Sequence, residues 1–362
     1  MRTQAENPQD KENINILNIH KHPEKNSLPS LSKLKITKAN SSFTTQSTQP
    51  LLESVSEKQR KKNRKRYESI VTKHYVSNQN ESLFLTYGES NYHFDKSTDD
   101  QVIPESFMNR HNISQNIHLK MIDWMIEVLS VYHSSHETFF LSVYIMDRFI
   151  EKSRMQLKSE NIHLIGVTSM FIASKFIEIY PISMDHIINN IGHNQFHASV
   201  VKAQEIKMLS VISFESLISC SIYEFLKTFF FGFFYNNKES IKSVKFEEFY
   251  RYLKETSLYL AKVTMHYKHF YAYANCTKAL CCIVAGKKIV MEKCRKVFNN
   301  EQEAFYEQWI NFLIEQNEFD PDEVEDISQQ IFCAYLNYQT ATKINKSLNR
   351  FSSLSFVNKY NK

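Results

Sequence analysis

The chain has 362 residues, 42% of them hydrophobic, enough for two ordinary domains plus a tail. Five glycines and seven prolines are too few for a fold rich in turns, and the nearest approach to a membrane span, Phe225 to Phe234, is interrupted by Lys227 and stops early. The formal net charge is +5, and much of the basic surplus sits in one short run, so no extended basic face for nucleic acid is implied.

Residues 1–80 mix Asn, Gln, Ser, Thr and Lys with scattered apolar residues at no sustained period and hold four of the seven prolines, a composition that predicts a disordered tail. Two features stand in it. Lys11-Glu12-Asn13 is a KEN tripeptide, which three common residues also make by chance. Lys58 to Arg66 carries seven basic residues in nine and fits an import signal for an acidic receptor groove, a nucleic-acid contact or a solvated tail, import being the reading taken.

From Ile113 the pattern turns helical. Ser114 offers an N-cap for a helix to about Tyr132, with Ile117, Met121, Trp124, Val128 and Tyr132 at three- and four-residue steps. Ser134 to Glu137 breaks it, and a second helix runs from Glu137 to Lys152. The third, from Ser159 to Ile179, is apolar on almost every side, as a helix surrounded by helices must be. Its small residues Gly166, Ser169, Ala173 and Ser174 let neighbours approach closely. Lys175, the one charge in its apolar stretch, either snorkels to solvent or faces a partner. Tyr180-Pro181 ends it. A short helix over Ser183–Asn190 and a fifth over His197–Ile212 complete the set, the fifth placing Glu205 among Val201, Met208 and Leu209.

A comparable series follows: Ile222–Phe234, Phe246–Tyr267, Tyr273–Met291, Glu301–Glu315 and Val324–Thr340. The count suggests a second five-helix unit, though residue-level similarity is too faint to establish a repeat. The expected organisation is therefore all-α: a tail over 1–80, helical units over 81–216 and 217–345, and a polar basic tail over 346–362.

Motifs for chemistry are missing. No GxGxxG, GxxxxGK or DFG-like triplet occurs, and the histidines form neither HExxH nor zinc spacing with the cysteines. Asp147 with Glu205, or Asp123 with His118, could be imagined as acid/base pairs, but carboxylates on core-facing helices more often pair with a local cation. No enzyme, metal or cofactor is expected. Cys220, Cys276, Cys281, Cys282, Cys294 and Cys333 form no CxxC and read as thiols in a reducing compartment.

Several fragments in order, Met121-Ile122-Asp123-Trp124-Met125-Ile126-Glu127-Val128, Glu137-Thr138, Asp147-Arg148-Phe149, Gly166-Val167-Thr168, Ala173 to Pro181 and Glu205…Leu209…Phe214, resemble the cyclin box of a cyclin. Trp309…Leu313 with Phe319 to Glu323 resembles the close of the second cyclin fold, and Val357-Asn358-Lys359-Tyr360 the tail of B-type mitotic cyclins.

The resemblance implies tandem five-helix cyclin folds and a regulatory subunit that activates a cyclin-dependent protein kinase at the G2/M transition, in nucleus and cytoplasm. It implies that Lys175 and Glu205 form a polar anchor at the kinase interface and that Phe176, Ile172 and Phe214 are its apolar contacts, with Glu178 kept beside them where Ile177 replaces a usual glutamate. It also makes Lys11, Glu12 and Asn13 a degron for the anaphase-promoting complex. A nuclear import receptor is a further partner expected from the basic run; neither a membrane nor direct nucleic-acid binding is expected. The alternative class is a cyclin-fold transcription factor or scaffold binding DNA or polymerase, which would want a basic face and a zinc ribbon.

Two departures from the family pattern stand out. His118 occupies the place of an arginine that bridges to the aspartate matching Asp147, so His118 and Asp147 are expected to pair. The family's docking groove for Arg-x-Leu peptides would map to Met121, Trp124, Glu127, Ile162 and His163, with Ile117 and Lys120 beside them. Lys120 and His163 depart from the usual residues there and predict weaker or altered docking.

Overall fold

The computed structural model describes residues 102–212, 217, 221–237, 244–298, 300–340 and 348. The KEN tripeptide, the basic run, Cys220, Phe214 and Val357 to Tyr360 lie outside them, as does the expectation of a disordered tail.

Ser114 caps α1 (Gln115–Val131), its hydroxyl accepting from the Ile117 amide at 3.3 Å. His133 then adopts a left-handed conformation, φ 54°, and the Ser134 amide returns to the Leu129 carbonyl at 2.9 Å to stop the helix. Ser135 caps α2 (His136–Lys152) in the same way as Ser114. α3 (Asn161–Ile177) is the expected central helix, buried from Ile165 to Ser174. The short helix foreseen over Ser183–Asn190 is a π-helix, His186–Ile191, closed by a Gly192 amide bond to the Ile187 carbonyl. α4 is Ala198–Ile212.

The second series is α5 (Ile222–Asn236), α6 (Val244–Thr264), α7 (Asn275–Lys293), α8 (Asn300–Gln316) and α9 (Pro321–Thr340), with a 3-10 turn at Lys268–Ala272. Among the described residues there is no strand, only an isolated bridge between Asn112 and Lys158.

Packing exposes the repeat that the residues hid. α3 packs on α1, α2, the π-helix and α4, while α7 packs on α5, α6, α8 and α9. In each five-helix unit the third helix thus touches the other four. Both central helices carry a glycine at a close approach. A Cβ on Gly166 would lie 2.4 Å from the Met121 sulfur, and one on Gly286 3.0 Å from Ser257 Oγ. The second unit fills its core with aromatics: the Phe233 ring lies 4.5 Å from Trp309 and 5.0 Å from Tyr306, which stacks on Phe249 at 4.4 Å.

The two units share one compact body. α2 packs on α5, Phe140 stacks on Tyr223, and Lys227 pairs with Glu137 at 3.6 Å. The segment before α1 straps across the junction. Phe107 stacks on Tyr271 at 5.4 Å, and His111 donates from Nε2 to the Ile150 carbonyl at 2.6 Å while its Nδ1 accepts the Leu157 amide.

Candidate partner-docking site

At the C-terminal turn of α3, Lys175 hydrogen-bonds Glu205 of α4, with its ammonium 4.2 Å from the centre of the Phe171 ring. The carboxylate side chain is 16% exposed and the lysine 39%, so the pair stands at the surface with its acidic half partly sunk. Around it lies uncovered apolar surface: Phe176 at 41% exposure, Ile179 at 63%, Tyr180 at 86% and Ile206 at 70%. Ile172, one turn below, is buried and supports this layer from beneath. A polar pair inside an apolar rim is an arrangement that a protein partner can desolvate and complete.

The chain leaves α3 here because Glu178 turns extended, its amide still bonded to the Ser174 carbonyl at 2.9 Å, and Pro181 follows. Glu178 does not reach outward. Its Oε1 accepts from the Ser135 amide and the Thr138 hydroxyl, each at 2.6 Å, at the N-terminus of α2. Glu137, next in that cluster, has its carboxyl pushed up by burial and by Glu224, with Lys227 opposing.

The residues foreseen as a peptide groove sit on α1 and the start of α3. Met121, Trp124 and Ile162 are buried, at 3%, 8% and 0% exposure, with Glu127 and His163 half-buried. The His163 ring stands 5.3 Å from Trp124 and 5.2 Å from Phe196, and its Nδ1 meets Gln195 Oε1 at 3.1 Å. Burial pushes the imidazole below its ordinary value, against the pull of Gln195. Little apolar surface is open on this face, and Lys120 is exposed beside it.

His118 Nε2 meets Asp147 Oδ1 at 2.6 Å in a buried setting, as foreseen, and Tyr271 donates to Asp147 Oδ2 at 2.6 Å. Burial, and next the carboxylate beside it, push the Tyr271 phenol well above its ordinary range.

Residues 90–216 match the family model for the cyclin N-terminal domain. G2/mitotic-specific cyclin-A of Drosophila melanogaster is 32% identical over 124 residues, 34% of this chain and 24% of that one. Cyclin-B1-1 of Arabidopsis thaliana is 25% identical over 225 residues, 62% of this chain and 49% of its own. The family match makes the first helical unit a cyclin N-terminal domain. A solved viral cyclin from herpesvirus saimiri aligns with a TM-score of 0.45 at 14% identity, over 64% of this chain and 94% of that one. The aligned regions span from about a quarter to half the length of the two sequence relatives.

Both foreseen pairs, Lys175 with Glu205 and His118 with Asp147, are in contact. Glu178 is occupied within the chain, and Ile172, Met121 and Ile162 are buried where contact residues were foreseen. Sequence reasoning missed Ile206, although an isoleucine on the polar side of α4, out of step with Val201 and Met208, was a visible signal. It also missed Tyr271, whose partner Asp147 lies in the other unit.

Proposed function

We propose that this chain is a regulatory subunit that binds and allosterically activates a cyclin-dependent protein kinase in control of mitotic progression. The observation that carries the reading is the Lys175–Glu205 pair set among exposed Phe176, Ile179, Tyr180 and Ile206. Docked on the kinase, the apolar rim excludes water and the pair donates to and accepts from partner backbone beside the mobile αC helix. Holding αC inward lets the kinase's own Lys–Glu pair and activation segment take their active arrangement. The catalytic groups belong to the partner.

Lys175→Glu places two carboxylates together in a surface that binding desolvates. It should weaken kinase binding by about a hundredfold or more and abolish stimulation of kinase activity, measured by titration calorimetry and a phosphorylation assay. Binding and stimulation equal to wild type by the combined Lys175→Glu and Glu205→Ala variant would show the assignment wrong.

The relatives named for G2/mitotic function favour division as the setting, with the anaphase-promoting complex reading Lys11-Glu12-Asn13 and an import receptor reading Lys58 to Arg66. Replacing Lys11 to Asn13 by alanines should then keep the protein level high past the end of mitosis in synchronised cells. An unchanged profile removes the degron from the proposal.

A further inference from the structure

We infer that Glu178 is a positioning residue: it holds the Ile179-Tyr180 apolar tip in its docking conformation by clasping the N-terminus of α2, and does not itself contact the partner. This inference rests on the kinase-binding reading of the surrounding surface.

The tip is pinned on both sides. Ahead of it, Glu178 Oε1 takes two hydrogen bonds of 2.6 Å, from the Ser135 amide and the Thr138 hydroxyl. Behind it, the Ile182 amide donates to Ser174 Oγ at 3.3 Å, and Ile182 is buried. Only Ile179, Tyr180 and Pro181 lie exposed between the pins.

The clasp is built as a relay. Ser135 Oγ accepts the Thr138 amide and meets the Thr138 hydroxyl at 3.0 Å, and since that hydroxyl gives its proton to Glu178, Ser135 is the donor between the two. Thr138 is fully buried, so the far end of the clasp is closed to any partner. A carboxylate at a helix N-terminus also meets the positive end of the helix dipole. An uncovered tyrosine and isoleucine held in one geometry lose less freedom on docking than a loose loop would.

The test uses the full chain and the purified kinase. Glu178→Ala and Thr138→Val should each weaken binding about tenfold, while Glu178→Gln, which keeps an accepting oxygen, should bind within about twofold of wild type. In a Tyr180→Ala background, Glu178→Ala should add less than about a twofold loss, because the tip it presents is gone. In the free chain, amide exchange at Ser135, Glu178 and Ile182 should speed up in Glu178→Ala and in Thr138→Val. Direct contact by Glu178 predicts the opposite: no effect of Thr138→Val on binding and full additivity with Tyr180→Ala. Either of those results, or unchanged exchange, overturns the inference. Wild-type binding by Lys175→Glu overturns instead the kinase reading beneath it, which the exchange measurement does not depend on.

Discussion

Asp147 shows how one buried carboxylate ties distant parts of this chain together. Two donors reach it, His118 from α1 and Tyr271 from the 3-10 turn of the other unit, each at 2.6 Å. Phe107 closes over both, edge-on to the imidazole and stacked on the phenol. His118→Ala leaves a buried charge with one donor and should cost about 3 kcal/mol of stability, whereas Tyr271→Phe, which removes one hydroxyl, should cost about 1–2 kcal/mol. His118→Arg, restoring the residue usual in the family, should cost less than His118→Ala. Urea midpoints measure all three, and a loss under about 1 kcal/mol for His118→Ala would mean that the pair is dispensable. The His118–Asp147 pair was legible through the resemblance, because the pattern around it is dense enough to place both residues. Tyr271 was not, since neither periodicity nor motif links residues 124 positions apart. The bonds that Glu178 makes within the chain were not legible either, since nothing in the sequence brings Ser135 and Thr138 beneath it.

At the scale of elements, the helices were readable because their apolar periods are long and their caps ordinary: Ser114 and Ser135 perform the capping that their type and position predict. The π-helix was read only as a short helix, because its wider turn is set by the bond into Gly192 and not by composition. What Met121 packs against was also hidden, as it depends on what α3 brings opposite. That contact makes Gly166 testable. Alanine there gains roughly 1 kcal/mol of helix propensity, but its Cβ would meet the Met121 sulfur at 2.4 Å and Cγ at 3.0 Å. Met121 is 3% exposed and has little room to retreat, so overpacking of about 1–3 kcal/mol should win. Gly286→Ala meets only Ser257 Oγ at 3.0 Å and Leu253 at 3.4 Å, and there the propensity gain should roughly cancel the contact. Gly166→Ala should therefore destabilise and Gly286→Ala should be near neutral in urea. The reverse order would show that the α1–α3 seam is looser than its geometry.

At the scale of the whole molecule, the junction between the units is where solution pH reaches the fold. His266, just past the end of α6, is buried. Its Nδ1 can only donate to the Lys262 carbonyl, at 2.9 Å, which leaves Nε2 as a bare lone pair with no partner. The ring sits edge-on to Tyr338, 5.3 Å away. His118 and Lys262 crowd the same seam: His118 opposes protonation of His266 through space, and Lys262, pushed down to about 8 by burial, lies 5.5 Å over the Phe139 ring of the first unit. Adding a proton at Nε2 would bury an unpaired N–H with a charge, and burial chiefly, then His118, hold the imidazole down at about 4. The sign follows from the two states. Above about pH 6.5 neither the folded nor the unfolded chain protonates this histidine, and it contributes nothing. Between about 6.5 and 4 the unfolded chain takes up a proton that the folded chain refuses, so stability falls as pH falls, by about 3 kcal/mol across the window. Below about 4 both states are protonated and this loss grows no further. His266→Asn, whose amide can still donate to Lys262, should remove that share of the slope whatever its effect at neutral pH. Other titrating groups cancel in the difference between variant and wild type. Equal slopes for the two chains, in urea midpoints taken from pH 7 to pH 4, would mean that His266 is reached by water and that the seam between the units opens before the fold does.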